Sequence, residues 1–428
     1  MTDESSVPRR ILLADADAFF VAVARMVDPD GAGREPLLIV GGTAESRGVV
    51  CSASYETRRY GVRSGMPISR ALRICPDAVC VPVPRRACTE MSHAIRETLG
   101  KFSPLVEAAS IDEWYMDLAG TEALYDNETL TETAHRIRTA VIRDTGLSVS
   151  IGGGTSKLVA KLAVEHAKPK AHNAATGVNV VAPGQEAAFL ATLALAEIPM
   201  IGPRFQDRLA SLGMKQVTDV LPYSVNELVR MLGEREGEWL WERVRGIHEG
   251  AVEPHADAKS ISRDETFATD IADDAGLAHE LATLAQRVTA DLRGEGLASR
   301  TITVRIRDHD FRTRSASRTL DSAVMSDRVI LSVARQLLAK LRAARRVPAR
   351  LLSVGLTSLS THAGADQLAL FEAQAGREVE TEKDRTVART IDRVRQKFGN
   401  DGIVLGGALG RTEENGKGAD SHRRKQSS

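Results

Sequence analysis

Apolar and polar positions change period several times along the chain, and each change marks an element. Residues 10–27, RILLADADAFFVAVARMV, open as a short apolar run and pass, after two acids, into apolar positions spaced for a helix face. A strand running into a helix is predicted there, with Asp15 and Asp17 at the junction. Residues i and i+2 of a strand share a face, so the two carboxylates are expected to project together. REPLLIVGG (34–42) reads as a second apolar strand, and RGVVCSASYETRRYGVRSGMP (47–67) as strand, helix and turn, with Tyr55 and Arg58 three apart on one helical face. A long helix from about residue 86 precedes PLVEAASIDEWYMDLAG (104–120), where two strands are predicted to meet at a turn around residues 110–112. LSVSIG (147–152) is a strand leading into the helix SKLVAKLAVEHA (156–167). Residues 185–250 are helical in pattern, and IPMIGPRFQDRLASLG (198–213) reads as a helix-hairpin-helix whose turn amides can approach a phosphate. After a linker around HEGAVEPHADAKS, residues 259–360 alternate strand, helix, strand, strand, helix, strand. A final helical stripe of Val387, Ile391, Val394 and Phe398 follows, and the last eighteen residues have the composition of a disordered tail.

Composition changes this picture little. The 428 residues, 43% hydrophobic and 27% charged, suit a multidomain globular chain, and no apolar run is long enough for a membrane span, so a cytoplasmic location is expected. Cys51, Cys75, Cys80 and Cys88 lack a paired C-x-x-C and are expected as reduced thiols. Charge matters more. Fifty-seven Lys and Arg balance fifty-seven Asp and Glu, yet residues 300–350 hold thirteen Lys and Arg against four Asp and Glu. This is a phosphate-seeking strip, or else a solvated strand and helix face.

The acids pose the chemical question. At the turn of a hairpin Asp112 and Glu113 can tilt towards one site, and with Asp15 and Asp17 from a neighbouring strand four carboxylates are expected to gather. Two like charges about 4 Å apart repel by roughly 1 kcal/mol in water and roughly 4 kcal/mol near a protein surface. A lone Asp is ordinarily a helix cap or turn residue. A cluster implies a hard cation, and Mg²⁺ on one or two carboxylates plus substrate phosphates matches this set better than zinc or calcium. GGGTSK (152–157) lacks phosphate-loop spacing, so its glycines are read as joining strand to helix.

Five motifs in register, DADAFF, SYETRRYGVRSGMP, SIDEWYMDL, GGGTSKLVAKLAVEHAKPK and the hairpin around IPMIGPRF, resemble the Y-family of translesion DNA polymerases, of the DNA polymerase IV type, over roughly residues 9–360. The resemblance implies an α+β right-hand fold: a small-sheet palm (9–18 and 85–184), short fingers (19–84), a helical thumb (185–250), a linker (251–258), an α/β little finger domain (259–360) and a tail (361–428). It implies template-directed, low-fidelity extension of a primer 3′ end by two-metal phosphoryl transfer. Asp15, Asp112 and Glu113 match the catalytic acids that hold two Mg²⁺ ions, with the Ala16 carbonyl as a further ligand. Asp17 matches a family acid of less direct role. Tyr55, Arg58 and Lys168 match the triphosphate contacts, Phe20 a steric gate against the ribose 2′-hydroxyl, and Phe19 a neighbour lining the same pocket. Arg305, Arg307, Arg312 and Arg314 are the leading contacts to DNA in the little finger. Gln367, Leu368, Leu370 and Phe371 of DQLALFE resemble the peptide that docks bacterial polymerases on the sliding clamp. The implied partners are primer-template DNA, deoxynucleoside triphosphates and that clamp, with the chain itself a monomer.

Several positions depart from the family pattern. Met200 stands where glycine is common, Ala24 and Arg25 where an acid is usual, Trp114 where a small residue sits, and Cys51 over the nascent base pair. The stretch AKPKAHNAATGVNVV lengthens the connection after Lys168. A noncatalytic, clamp-bound scaffold of the same fold is the alternative, but it has no need of the acids together with Tyr55, Arg58 and Phe20. A palm-domain nucleotidyl cyclase leaves the thumb hairpin, little finger and clamp peptide unexplained.

Overall fold

The computed structural model describes residues 9–169, 176–254, 257–361, 380–399 and 403. The chain divides into two compact units, Met1–Ala256 and Asp257–Ser428. Residues 367–371, with Gln367, Leu368, Leu370 and Phe371, lie outside the described residues, as do the last eighteen.

In the first unit the fully buried strand β1 (Ile11–Ala16) leads into helix α1 (Phe19–Val27) through Ala18, whose φ of 47° makes the tight exit from the sheet. Strands β2 (Leu38–Gly41) and β3 (Val50–Ala53), helices α2 (Tyr55–Arg59) and α3 (Ile68–Ile74), and strand β4 (Val79–Val81) form a small subdomain on a three-stranded sheet ordered β3-β2-β4. Ser54 caps α2 by accepting from the Thr57 amide and donates to the Pro36 carbonyl at 2.7 Å, which fixes that helix to its sheet.

Helix α4 (Arg85–Gly100), the hairpin of β5 (Val106–Ala108) and β6 (Glu113–Asp117), helix α5 (Leu130–Thr145), strand β7 (Val149–Gly154), helix α6 (Lys157–Ala167) and strand β8 (Val178–Val180) complete a five-stranded sheet ordered β5-β6-β1-β7-β8. The central strand β1 is antiparallel to both β6 and β7. Leu12, Ala14 and Ala16 face α4 and α5 in one apolar cluster, while Ile11 and Leu13 meet Ala160 and Val164 of α6 in another. Trp114 and Met116, both fully buried, anchor the first cluster, and each side chain of this size removed from water stabilises by about 2 kcal/mol.

Short helices α7 (Glu186–Leu190), α8 (Pro203–Ser211), α9 (Val217–Val220), α10 (Val225–Leu232) and α11 (Glu234–Arg243) follow the expected helical pattern. Met200 precedes α8 with a φ of 75° and is 88% exposed, a conformation that favours glycine and accounts for the strain of placing a side chain there. The expected linker is only partly a free tether. Val252 is buried against Ile11, Leu13 and α6, the Glu253 amide donates to Glu107, and Lys157 donates to the Ala251 carbonyl, so this stretch belongs to the first unit.

The second unit has the expected order: β9 (Ser260–Ile271), α12 (Asp274–Gly294), β10 (Leu297–Asp308), β11 (Thr313–Val324), α13 (Asp327–Ala344) and β12 (Ala349–Thr361). The four strands form one antiparallel sheet ordered β11-β10-β12-β9, with α12 and α13 packed on one face over Ile302, Val304, Ile306, Val354 and Leu356. A further helix, α14 (Glu382–Phe398), finds its partner here. It is held mainly by charge. Asp392 accepts two bonds from Arg293, at 2.6 and 2.7 Å, Asp384 accepts two from Arg328, at 2.6 and 2.8 Å, and Glu380 accepts from the Met325 and Ser326 amides at the start of α13. The apolar stripe is the lesser contributor: Ala388 is buried, but Val387 is 49% and Phe398 66% exposed.

Because the Arg293 side chain is 3% exposed, Asp392→Ala removes its bidentate partner from a nearly dry site and is expected to weaken α14 docking by about 2 kcal/mol. Amides of residues 382–398 should then exchange about thirtyfold faster with deuterium, and exchange at the wild-type rate would refute this account of what holds the helix.

Candidate active site

Alternation along β1 carries Asp15 to the α6 face, continuing the set of Ile11 and Leu13. The register places Glu113 of β6 directly across from it. Two carboxylates at facing positions on neighbouring strands repel, and Asp15 is 5% exposed, so water does little to relieve them. Helix α6 answers with lysines. Lys168 Nζ lies 2.8 Å from Asp15 Oδ2, and Lys161 Nζ lies 2.6 Å from Glu113 Oε1 and 3.8 Å from Asp15 Oδ2. One turn earlier Lys157 binds both carboxylate oxygens of Glu107 on β5, at 2.7 and 2.6 Å.

The glycines of β7 explain how a helix comes this close. A Cβ at Gly152 would collide with the backbone of Ala160 and Val164, and one at Gly154 with the Val159 side chain. They permit close packing of α6 on a strand, as the rejection of a phosphate loop requires. Ser156 caps α6 by accepting from the Val159 amide and donates to the Gly246 carbonyl.

The other acids separate from this pair. Asp112 ends the turn between β5 and β6: its carbonyl accepts from the Ala16 amide at 2.9 Å, which fixes it beside the end of β1, and its carboxylate accepts from Ser110 Oγ at 2.6 Å. Asp17 is held by serines at the start of β7, accepting from Ser148 Oγ, just before the strand, at 2.7 Å and from Ser150 Oγ, on it, at 2.8 Å. Asp117 accepts from the Ala119 amide as a turn residue. Among the described residues no three His, Cys, Asp or Glu side chains form a metal cage. The expected gathering of four acids is therefore corrected to a pair, Asp15 with Glu113, flanked by Asp112; serine donors at Ser148 and Ser150 hold Asp17.

Burial raises the Asp15 pKa to about 6, against which the Lys168 ammonium works in the opposite direction. Burial also acts to lower Lys168, but Asp15 and Glu165 more than offset it and the net shift is upward. The Tyr55 hydroxyl is raised by burial first and then by the negative charge of Asp17, and it also feels Arg58, Lys168 and Asp15. The residues expected to grip a triphosphate thus share one electrostatic environment with the acids. Arg58 lies over the Tyr55 ring at 4.9 Å and donates to the Ala53 carbonyl at 2.8 Å, which orients its guanidinium.

The paired phenylalanines differ. Phe19 is 1% exposed and packed in the core, so its expected place in a nucleotide pocket is corrected: one step of helical rotation turns it inward. It meets half-buried Phe20 edge-on, with ring centroids 5.5 Å apart, and supports that ring. Trp114 is accommodated in the same core.

In the second unit the period-2 alternation divides the basic strip. Arg305 and Arg307 lie on the sheet face opposite the helices, among Thr301, Thr303, Ser315 and Ser317, and Arg307 donates to Thr313 Oγ1 at 3.0 Å. Arg314 pairs in register with Ile306, on the helix side, where it donates to fully buried Asp308 at 2.9 Å and to the Leu341 carbonyl. Its expected role at DNA is corrected to that of a structural ion pair. Arg312 is exposed in the turn between β10 and β11.

Two ion pairs were not singled out by sequence reasoning: Lys161 with Glu113, and Lys157 with Glu107. The signal for Lys161 was present, since it lies seven residues before Lys168, two helical turns away on the same face.

Comparison with known proteins agrees over most of the chain. The impB/mucB/samB family model matches residues 14–165, and the model for the C-terminal domain of that family matches residues 258–370. DNA polymerase IV of Dehalococcoides mccartyi strain CBDB1 is 34% identical over 404 residues, covering 93% of this chain and 97% of the relative. DNA polymerase IV of Methanoculleus marisnigri is 38% identical over 354 residues, covering 82% and 94%. Among solved structures, the Y-family DNA polymerase chimera Dbh-Dpo4(243-245)-Dbh superposes with a TM-score of 0.71 at 25% identity, covering 82% of this chain and 98% of that one. The insertion ternary complex of Dbh DNA polymerase gives 0.58 at 26% identity, covering 81% and 98%.

The raised Asp15 pKa has a stability consequence. Between the ordinary 3.8 and about 6 the folded chain keeps a proton that the unfolded chain has released, so stability falls as pH rises through that window. Asp15→Asn removes the penalty. In thermal melts with chelator it is expected to exceed wild type by about 2 kcal/mol at pH 7.5 and to lose most of that margin at pH 4.5; a margin constant across pH would contradict this assignment.

Proposed function

The chain belongs to the impB/mucB/samB family, the Y-family DNA polymerases of the DNA polymerase IV type, and is a DNA-directed DNA polymerase; from that premise we propose how its own residues carry the reaction. Asp15, Asp112 and Glu113 hold two Mg²⁺ ions, with the Ala16 carbonyl as an added oxygen donor. The observation that carries this reading is the Asp15–Glu113 pair in cross-strand register, already matched by ammonium groups. An oxygen-only donor set with a demand for positive charge suits a hard divalent cation. When bound, such ions lower the pKa of a primer 3′-hydroxyl and offset charge on departing pyrophosphate.

The protein's own contribution is positioning and charge. Lys168, at the C-cap of α6, exchanges Asp15 for the incoming triphosphate, and Arg58 and Tyr55 hold the same phosphates from α2. Glu113 and Asp112 keep their oxygens directed by the β6 register and the Ser110 hydroxyl. Phe20, braced by Phe19, stands under the deoxyribose and leaves no room for a 2′-hydroxyl. The small subdomain on β3-β2-β4 acts as fingers, the five-stranded sheet as palm, helices α7 to α11 as thumb and the second unit as little finger. Fingers of three short strands and helices of five and seven residues support an open site, hence low fidelity and translesion synthesis in DNA damage tolerance.

Primer-template DNA is gripped by the open sheet face of the second unit through Arg305 and Arg307, with Arg312 at its rim. The peptide at residues 367–371 docks on a bacterial sliding clamp. The same surfaces serve a noncatalytic scaffold, so the acids decide between the two.

Primer extension tests this directly. Asp112→Ala is expected to lower kcat by at least about 10³-fold while leaving primer-template affinity within about twofold. Full activity in that variant would refute the acid assignment. Phe20→Ala should raise ribonucleotide incorporation about a hundredfold relative to deoxynucleotide, and unchanged sugar discrimination would remove Phe20 from the sugar site.

A further inference from the structure

Helix α6 presents three lysines to three strand carboxylates, and they are not equivalent. Lys157 binds Glu107 through both oxygens and also donates to the Ala251 carbonyl, and Lys168 divides its charge between Asp15 and Glu165. Lys161 has only the paired acids: Glu113 at 2.6 Å and Asp15 at 3.8 Å, with no other ion pair or side-chain hydrogen bond among the described residues. Its side chain and that of Glu113 are each 26% exposed. Such a pair is stronger than a surface ion pair yet open to exchange with solutes.

The helix that carries Lys161 has little freedom to withdraw. Gly152 brings its backbone against β7, Ser156 ties its first turn to Gly246, and Lys157 locks it to β5. The backbone that carries the ammonium is therefore held near Glu113 by packing that does not depend on the ion pair. A divalent cation entering between Asp15 and Glu113 meets that positive charge and must displace it.

We propose that Lys161 is a positioning residue that holds the Glu113 carboxylate on the α6 face and competes with divalent cations for it. This rests on the reading of Asp15 and Glu113 as cation ligands given above. Bare cations then bind weakly. A polyanionic nucleoside triphosphate shifts the balance, because its phosphates offer the ammonium another partner and bring their own metal. The competition favours delivery of metal together with nucleotide over occupancy by metal alone.

The test uses the full chain and Mn²⁺ alone, without DNA or nucleotide, with free Mn²⁺ counted by electron paramagnetic resonance. Lys161→Met and the polar but neutral Lys161→Gln are expected to bind Mn²⁺ about fivefold more tightly than wild type, and Lys161→Arg to stay near wild type. A purely structural lysine predicts the reverse, weaker binding from a loosened site. Unchanged or weaker Mn²⁺ affinity in the folded Met and Gln variants would overturn the inference. The double variant Asp15→Asn, Glu113→Gln separates the two readings: if it binds Mn²⁺ as well as wild type, the acids are not the cation site and the proposed function fails at that point, whereas loss of binding there with no gain at Lys161 defeats this inference alone.

Discussion

The facing pair of Asp15 and Glu113, one of them buried, organises the candidate site of the first unit. Antiparallel register puts them opposite one another, and burial of Asp15 removes the solvent that would otherwise screen them. A sheet with such a pair needs positive charge brought from elsewhere. Here it comes from one helix, and that helix reaches its place only because β7 carries glycine at 152 and 154 where any side chain would strike α6. The glycines, the lysine spacing and the acid register form one device: a change in any of the three leaves the other two without purpose. Burial first, and the facing Glu113 carboxylate after it, raise the Asp15 pKa, which is a stability penalty at neutral pH.

Serines perform the opposite service for Asp17. Hydroxyls of Ser148, just before β7, and Ser150, on it, satisfy its carboxylate without supplying charge, and its negative charge acts on the Tyr55 hydroxyl. Neighbouring acids at the end of β1 thus differ in their donors: the ammonium groups of Lys168 and Lys161 for Asp15, serine hydroxyls for Asp17.

Period and punctuation carried most of the architecture in the sequence. The β1–α1 junction, the hairpin ending at Asp112, the β7–α6 unit and the six-element order of the second unit all follow from local alternation and turn residues, which backbone geometry translates directly. What alternation cannot supply is parity across a turn. Arg305 and Arg307 lie on one face, but whether Arg314 joins them depends on how many residues the β10–β11 turn consumes, and the actual count puts it opposite Ile306 on the helix side. Phe19 and Phe20 differ by one helical step, too fine for a pattern to resolve. The partners of α14, Arg293 and Arg328, lie more than fifty residues earlier, and nothing local announces them. Lys161 was readable from its seven-residue offset to Lys168, but only once Lys168 is tied to an acid.

The same parity argument changes what the charge of the second unit means. Thirteen cations between residues 300 and 350 suggest a broad electrostatic grip on nucleic acid. Many are already engaged inside the fold: Arg314 and Arg345 with Asp308, Arg345 also with Asp310, Arg342 and Arg346 with Asp274, Arg328 with Asp384. A guanidinium bound to a carboxylate contributes little to counterion release, so binding depends on the few that face outward. Arg305 and Arg307 stand on a sheet surface otherwise paved with threonine and serine hydroxyls, several of them bonded to one another across strands, as in Thr303 with Ser317 and Thr301 with Thr319. Hydroxyls donate to phosphate oxygens without regard to base. On the proposed reading, such a surface holds a duplex by many weak, sequence-blind contacts, with few free guanidinium groups to make that grip depend on salt.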